Sequence, residues 1–447
     1  MNFQLTKDYV KKIEKFAEIK NTSGLHKLCL KLLPPDIAEI LKAVKIKHAK
    51  FILTIFNKET IADILIELEE DLREQLINDF SSKKIGKEII SNLDSDDAVD
   101  VIQELSKTKQ IEVLSNIVDP QQASDIADLL LYKENSAGAL MAKELIKVHD
   151  DWSILRCVSE MRKQAKDIHK VYTIYVVNKF QQLIGTVSLK KLLISPDKTF
   201  IKSIYNHHVI SVVTNTSADE VSRIMNKYDL IVLPVINDKN ELIGRITIDD
   251  VVDIIKEEAE KDYQMASGIF ENIEPIDGVL TLTKARIPWL FIGMIGGLLG
   301  AQIIGLFNLE ENPILAFFIP LIAAMGGNVG VQSSAIIVQG IASKKMGVES
   351  WTQRLIKEFN VALINGIICC TMVFIVCALL YPEPLLPVTI SLSLLTVMVF
   401  AALFGTFTPL ILNSYKIDPA LATGPFITTM NDVIGLFIYF SIAKIIM

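Results

Sequence analysis

From about residue 286 onward the sequence is apolar almost without interruption, whereas residues 1–275 mix apolar and charged positions at helical or strand spacing. Five apolar segments are long enough to cross a bilayer, which takes about 20 residues as a helix. They run over 286–307, 314–341, 359–380, 385–413 and 419–447. The first 130 residues have no strand alternation. There, "LPPDIAEILKAV", "FNKETIADILIEL", "LDSDDAVDVIQEL" and "VDPQQASDIADLLL" each open on a cap-type residue and continue at helical spacing. That pattern predicts short stacked helices, a small α-solenoid. Asp94, Asp96, Asp97 and Asp100 crowd the start of one of them, where carboxylates favour the helix dipole and ordinary capping accounts for them.

Residues 130–255 carry a repeat of period 59. "YVVNKFQQLIGTVSLKKLL" (175–193) aligns with "PVINDKNELIGRITIDDVV" (234–252). Each copy reads as a β-branched strand, a polar turn, a strand holding Gly185 or Gly244, and a helix. An amphipathic helix, "SILRCVSEMRKQ" or "SADEVSRIMNKYD", precedes each copy. The doubled unit resembles a pair of CBS domains. That resemblance implies an adenine-nucleotide (ATP) site built on Gly-x-hydrophobic-Ser/Thr-x-x-Asp. The second copy supplies Gly244, Thr247 and Asp250, while the first has Gly185 and Ser188 but Lys191 in place of the acid. At most one conventional half-site remains.

After the repeat, "TIDDVVDIIKEEAEKDYQMASG" sets Asp250, Asp253, Glu257 and Glu260 on one helical stripe. Such a stripe repels itself unless divalent cations screen it. The net charge of −7 and the lack of a basic cluster argue against nucleic-acid binding. No Walker A, GxSxG, HExxH or GxGxxG motif occurs, and no nucleophile–base pair is apparent, so an enzyme is not expected. The five cysteines, Cys29, Cys157, Cys369, Cys370 and Cys377, lack CxxC spacing, and the three in an apolar span read as packing residues.

The N-terminal "MNFQLTKDYVKKIEKFAEI" has no apolar core and is not expected to be a signal peptide. Lys284 and Arg286 precede the first span, Lys344, Lys345, Arg354 and Lys357 fill the second connection, and Lys416 marks the fourth. The alternate connections "NLEENP" and "YPEP" carry no Lys or Arg, and Lys444 is the one basic residue on that side. The asymmetry predicts a cytoplasmic N-terminus, and five spans then put the C-terminus outside.

Within the spans Asp432 stands apart, 12 residues after Ala420 and 15 before Met447, close to mid-membrane. An acid there costs roughly 2.5–3.5 kcal/mol on insertion scales, so it faces a polar pathway or a partner. With no His or Cys beside it, a hard cation that prefers oxygen is favoured over zinc or copper. Gly424-Pro425 is expected to break or kink the same helix. "AAMGGNVGVQSSA" (323–335) reads in two ways. Gly326, Gly327 and Gly330 open a break at a cavity, with Asn328 and Gln332 on one face; or Gly326 and Gly330 make a GxxxG packing seam.

Taken together, these pieces resemble the MgtE family of magnesium transporters and channels, over essentially the whole chain. The resemblance implies an all-α superhelical N domain (1–130), an α/β tandem CBS pair (131–255), an acidic linker helix (256–283) and an all-α polytopic pore domain with five transmembrane helices (284–447). It implies a homodimer in the plasma (inner) membrane that conducts Mg²⁺ between subunits and closes when cytosolic Mg²⁺ binds. The pore residues it marks are Asp432, Asn431, Asn328, Gly327, Gln332 and Gly424. For regulation it marks Asp96, Asp100, Asp219, Asp229, Asp250, Asp253, Glu257, Glu258 and Asp262. Val331, Ser217 and Lys261 depart from the family's pattern. Two other readings stand beside this one: a transporter of Mn²⁺ or Co²⁺, and a non-conducting membrane-bound nucleotide sensor.

Overall fold

The structure, a computed structural model, describes residues 3–168, 170–269, 273, 278–307, 309–310, 312–342, 350–422 and 424–447. Lys344 and Lys345, part of the charge asymmetry above, lie outside the described residues, as do Asn308 and Glu311 of "NLEENP". The chain forms two compact units, 1–255 and 256–447.

The first unit opens with short helices from Lys7–Glu18 to Pro120–Leu129. Their starts follow the capping logic. Asn57 accepts from the Thr60 amide at 2.8 Å, and Asp119 from the Gln121 amide at 3.0 Å. The Pro34–Ala43 helix instead opens on its two prolines after Leu33. Asp94 precedes the Ser95–Gln103 helix without capping it, and its carboxylate goes elsewhere.

Two three-stranded sheets follow. In the first, β1 (Ile146–His149) runs parallel to β2 (Ile174–Val177), which pairs antiparallel with β3 (Leu183–Val187). In the second, β4 (Val212–Val213), β5 (Val232–Ile236) and β6 (Leu242–Thr247) repeat that order. The register slips at Val176/Val177 and again at Val235/Ile236, equivalent positions of the repeat. Gln182 bridges Glu241 between the sheets. Tyr175, Val177 and Leu242 pack together apart from either main core. The first CBS copy has its own core around Val148, Cys157 and Val176. The second copy shares a single core with the helical region, where Val221, Leu233 and Ile246 join Ile64, Leu65 and Val101.

Among the described residues, the second unit contains five helices long and apolar enough to cross a membrane: Val279–Leu306, Pro313–Ala342, Trp351–Leu380, Leu386–Ser414 and Pro425–Ile446. They are termed spans one to five. Span one begins seven residues before the expected 286, taking in Lys284, and span three begins eight before the expected 359, taking in Arg354, Lys357 and Glu358. Long basic side chains reach back to the headgroups, so a helix can extend past the apolar run. Span two is not broken. It continues as α-helix from Ile319 to Ala342 through Gly326, Gly327 and Gly330, which are buried at helix contacts. Gly424 does not kink span five; it precedes it, with φ of 51°, and Pro425 is its first residue.

Candidate functional site

In the first unit, the acids at the start of the Ser95–Gln103 helix face the second CBS copy. Oxygens of Asp94, Asp96 and Glu144 lie within 4.8 Å of one another. Glu144 is held by Ser95, whose hydroxyl donates at 2.8 Å and whose amide donates at 3.2 Å. Asp250, at the start of the Ile248–Ala266 helix, accepts from the Thr247 hydroxyl at 2.6 Å. Burial, then the Asp250 charge, pushes Asp96 well above the usual carboxylate range. The same two causes push Asp97 up to about 7, with Asp100 and Asp94 adding to them and Arg73 opposing. Burial also raises Glu144 and Asp250. A cation of the chain also bonds directly into this region. Arg245, 5% exposed, donates from Nη2 to Asp94 at 3.3 Å and from Nε to the Glu144 carbonyl at 2.5 Å.

Carboxylates gathered so tightly are oxygen donors for a hard divalent cation, which would draw them together and release their protons. Asp96, Asp100 and Asp250 therefore share one neighbourhood. Asp253 lies further along the same helix and meets Glu67, whose pKa burial and then Asp253 raise. Asp219 and Asp229 stand exposed at the two ends of the Ala218–Lys227 helix. Ser217 caps that helix by accepting from the Glu220 amide.

For a nucleotide, the second CBS copy offers Thr247 and Asp250, but these bond to each other. Gly244 leaves its space to Met141 and the Ala142 carbonyl. A cleft beside Tyr172, Tyr175 and Arg245 holds only about 10 Å³, less than an adenine ring needs.

In the second unit, the end of the Ile248–Ala266 helix meets the start of span five. A side chain at Gly424 would strike the Ala266 carbonyl, and one at Gly268 would meet Pro425. Asp262, near that end, is raised by burial and by the charge of Asp418. Glu257 and Glu258 are exposed on the same helix.

Asp432 opens into a cavity of about 290 Å³ lined by Gly293, Gly296, Gly297 and Gly300 of span one, Ala323 of span two, and Thr429. Gly327 faces Asp432, since a Cβ there would lie 3.8 Å from Asp432 Oδ1. Asn431 is turned more deeply against span two. It is 1% exposed and donates from Nδ2 to the Gly326 carbonyl at 3.4 Å. Asn328 and Gln332 are exposed. A carboxylate among glycines can hold a hydrated ion without crowding its water shell.

Three family models cover most of the chain. One described as the MgtE intracellular N domain matches residues 32–135, the CBS domain model matches 137–196 and 201–257, and one described as divalent cation transporter matches 319–442. The magnesium transporter MgtE of Thermus thermophilus is 30% identical over 436 residues, 96% of each chain. The chain belongs to the MgtE family. The Bacillus subtilis MgtE is 28% identical over 92% of this chain and 91% of its own. The crystal structure of the cytosolic domain of the Mg²⁺ channel MgtE in complex with ATP is 27% identical, covers 55% of this chain and 99% of its own, and superposes with a TM-score of 0.51. The soluble part of a magnesium transporter shares the fold at 24% identity and a TM-score of 0.50, covering 57% of this chain and 99% of its own. As an MgtE member with five candidate spans, this is a multi-pass membrane protein.

Motif reading left out several residues of these sites. Glu67, Glu144, Arg245 and Asp418 belong to no pattern of the MgtE type quoted above, and their partners come from distant parts of the chain. Only their charge singled them out.

Proposed function

We propose that this chain is a Mg²⁺ channel or transporter, working as a homodimer, that admits Mg²⁺ past Asp432 and is closed by cytosolic Mg²⁺. The observation that carries the reading is Asp432, the eighth residue of the 22-residue span five, a carboxylate facing a glycine-lined cavity, in a chain whose relatives along nearly its full length are magnesium transporters. Mg²⁺ gives up its waters reluctantly, so few carboxylates and a roomy site suit it. Two copies of Asp432 about a two-fold axis would place −2 on the path. Gly327 supplies space on one wall, Asn328 and Gln332 turn to the water shell in the dimer, and Gly424 seats the start of span five. Asn431 acts from behind, fixing Asp432 against span two.

Regulation rests on Asp96, Asp100, Asp250 and Asp253 in the first unit, with Asp219 and Asp229 at its surface, and on Glu257, Glu258 and Asp262 in the linker. Mg²⁺ bridging these acids favours the state in which the linker holds the start of span five. Without Mg²⁺ their repulsion frees it. The N-terminus is cytoplasmic and the C-terminus outside. The working parts are 1–130, 131–255, 256–283 and 284–447. The protein is no enzyme, and it takes an adenine nucleotide at Gly244, Thr247 and Asp250 only once the Thr247–Asp250 bond opens. Support for that last step is the ATP-bound cytosolic domain of a relative.

Asp432→Ala is the direct test. Purified in lipid vesicles, the variant retains its assembly on size exclusion but loses Mg²⁺ uptake. Uptake at the unsubstituted level would contradict the pore assignment.

A further inference from the structure

Span two is gripped by polar contacts at three heights. Tyr439 of span five donates to the Leu315 carbonyl at 2.8 Å, in the turn that leads into the helix. Asn431 donates to the Gly326 carbonyl near the middle. Towards the other end Ser333, 3% exposed, donates its hydroxyl to Glu358 Oε1 of span three at 2.6 Å.

The last contact differs from the usual behaviour of hydroxyls in these helices. Thr396, Thr408 and Ser441 each donate to the carbonyl four residues earlier. Ser333 instead reaches across to the carboxyl group of another helix. Glu358 sits eight residues into the 30-residue helix Trp351–Leu380, about 10 Å from its start at 1.5 Å per residue. That helix exceeds the ~30 Å hydrocarbon core, so the carboxylate lies near the membrane margin. A carboxylate at the margin can turn to water, and here it is turned to a neighbouring helix instead.

Rotation is what the contact controls. Gly327 faces Asp432, and each residue along a helix turns the face by about 100°. A slip of one position would carry Gly327 off Asp432 and move Gln332, adjacent to Ser333, with it. We infer that Glu358 is a positioning residue for ion passage, fixing through Ser333 the rotation of span two opposite Asp432. This rests on the reading of Asp432 as the pore acid.

The test is Mg²⁺ uptake by the full chain in vesicles, with half-saturating Mg²⁺ and maximal rate measured separately and scaled to protein that elutes as folded. Glu358→Ala and Ser333→Ala each raise half-saturating Mg²⁺ about five-fold, the worth of one hydrogen bond. The double variant is no worse than either single one, because one contact is lost in each. Glu358→Gln, which keeps a side-chain carbonyl for Ser333, restores the affinity. Unchanged half-saturation, additive losses, or Glu358→Gln as impaired as Glu358→Ala would each overturn the inference; the last would make Glu358 an ion contact in its own right. Uptake by the unsubstituted chain separates the two claims. Its absence overturns the Mg²⁺ reading and this inference together, whereas its presence with unmoved variants overturns only the inference.

Discussion

Gly405 has no room for a side chain, because a Cβ there would run into the Gly330 carbonyl of span two. Gly330 in turn leaves its space to the Asn431 amide and Ile427 of span five. Three helices therefore meet at two glycines, which is the packing side of the two readings of "AAMGGNVGVQSSA". The polar residues of that stretch were legible as a set, but their directions were not. Asn431 and Asp432 are neighbours in sequence, yet Asn431 is buried against the Gly326 carbonyl while Asp432 opens into the cavity, a difference no motif records. Gly405→Leu forces these helices apart and costs about 1–3 kcal/mol or more, as overpacking does. Gly297→Ala, where a Cβ meets nothing within 4 Å, leaves the melting temperature of the detergent-solubilised protein unchanged. Equal melting temperatures for both variants would refute the account of this junction.

Among the elements, the Ser95–Gln103 helix behaves least like its sequence. Four acids at its start suggested capping, yet Asp94 binds Arg245 and Asp96 faces Asp250. The partners come from the second CBS copy, about 150 residues away, so only tertiary structure could reveal them. The raised acids set a pH dependence with a definite sign. An acid whose pKa rises on folding binds more protons in the native state between its unfolded value near 4 and its folded value. For Asp97 that window closes at about 7. In chelator, stability of the first unit falls as pH rises from 4 through 7, and Mg²⁺ restores it by occupying the deprotonated acids. Differential scanning fluorimetry of the full chain, with and without Mg²⁺ at several pH values, checks this; stability rising through that window in chelator would contradict it.

Arg245 predicts a second effect at the same scale. Arg245→Met leaves Asp94 without its buried counter-ion and costs about 3–5 kcal/mol in the metal-free protein. Mg²⁺ then takes over part of that role. The melting-temperature gain on adding Mg²⁺ is therefore larger in the variant than in the unsubstituted chain, and an identical gain would mean that Arg245 has no part in the acidic cluster.

For the whole molecule, the order of parts was readable because each has its own periodicity: 3.6 in the helices, 2 in the strands, a repeat of 59, and long apolar runs. What periodicity could not tell was which parts share a core. The helical region and the second CBS copy are joined through residues such as Leu65 and Val221, while the first copy keeps a core of its own. Charged residues likewise concealed the starts of spans one and three. The account makes the acids of the first unit and the linker the sensor, and Asp432 the point of passage. Its most direct test is Mg²⁺ uptake by the reconstituted chain as Mg²⁺ on the face bearing the N-terminal unit is stepped from chelated to millimolar levels. The account predicts rapid uptake at low Mg²⁺ that falls steeply as that face is loaded, and a fall largely lost when Asp250, Asp253 and Glu257 are neutralised together. Uptake indifferent to Mg²⁺ on that face, or equally suppressed in the neutralised variant, would contradict it.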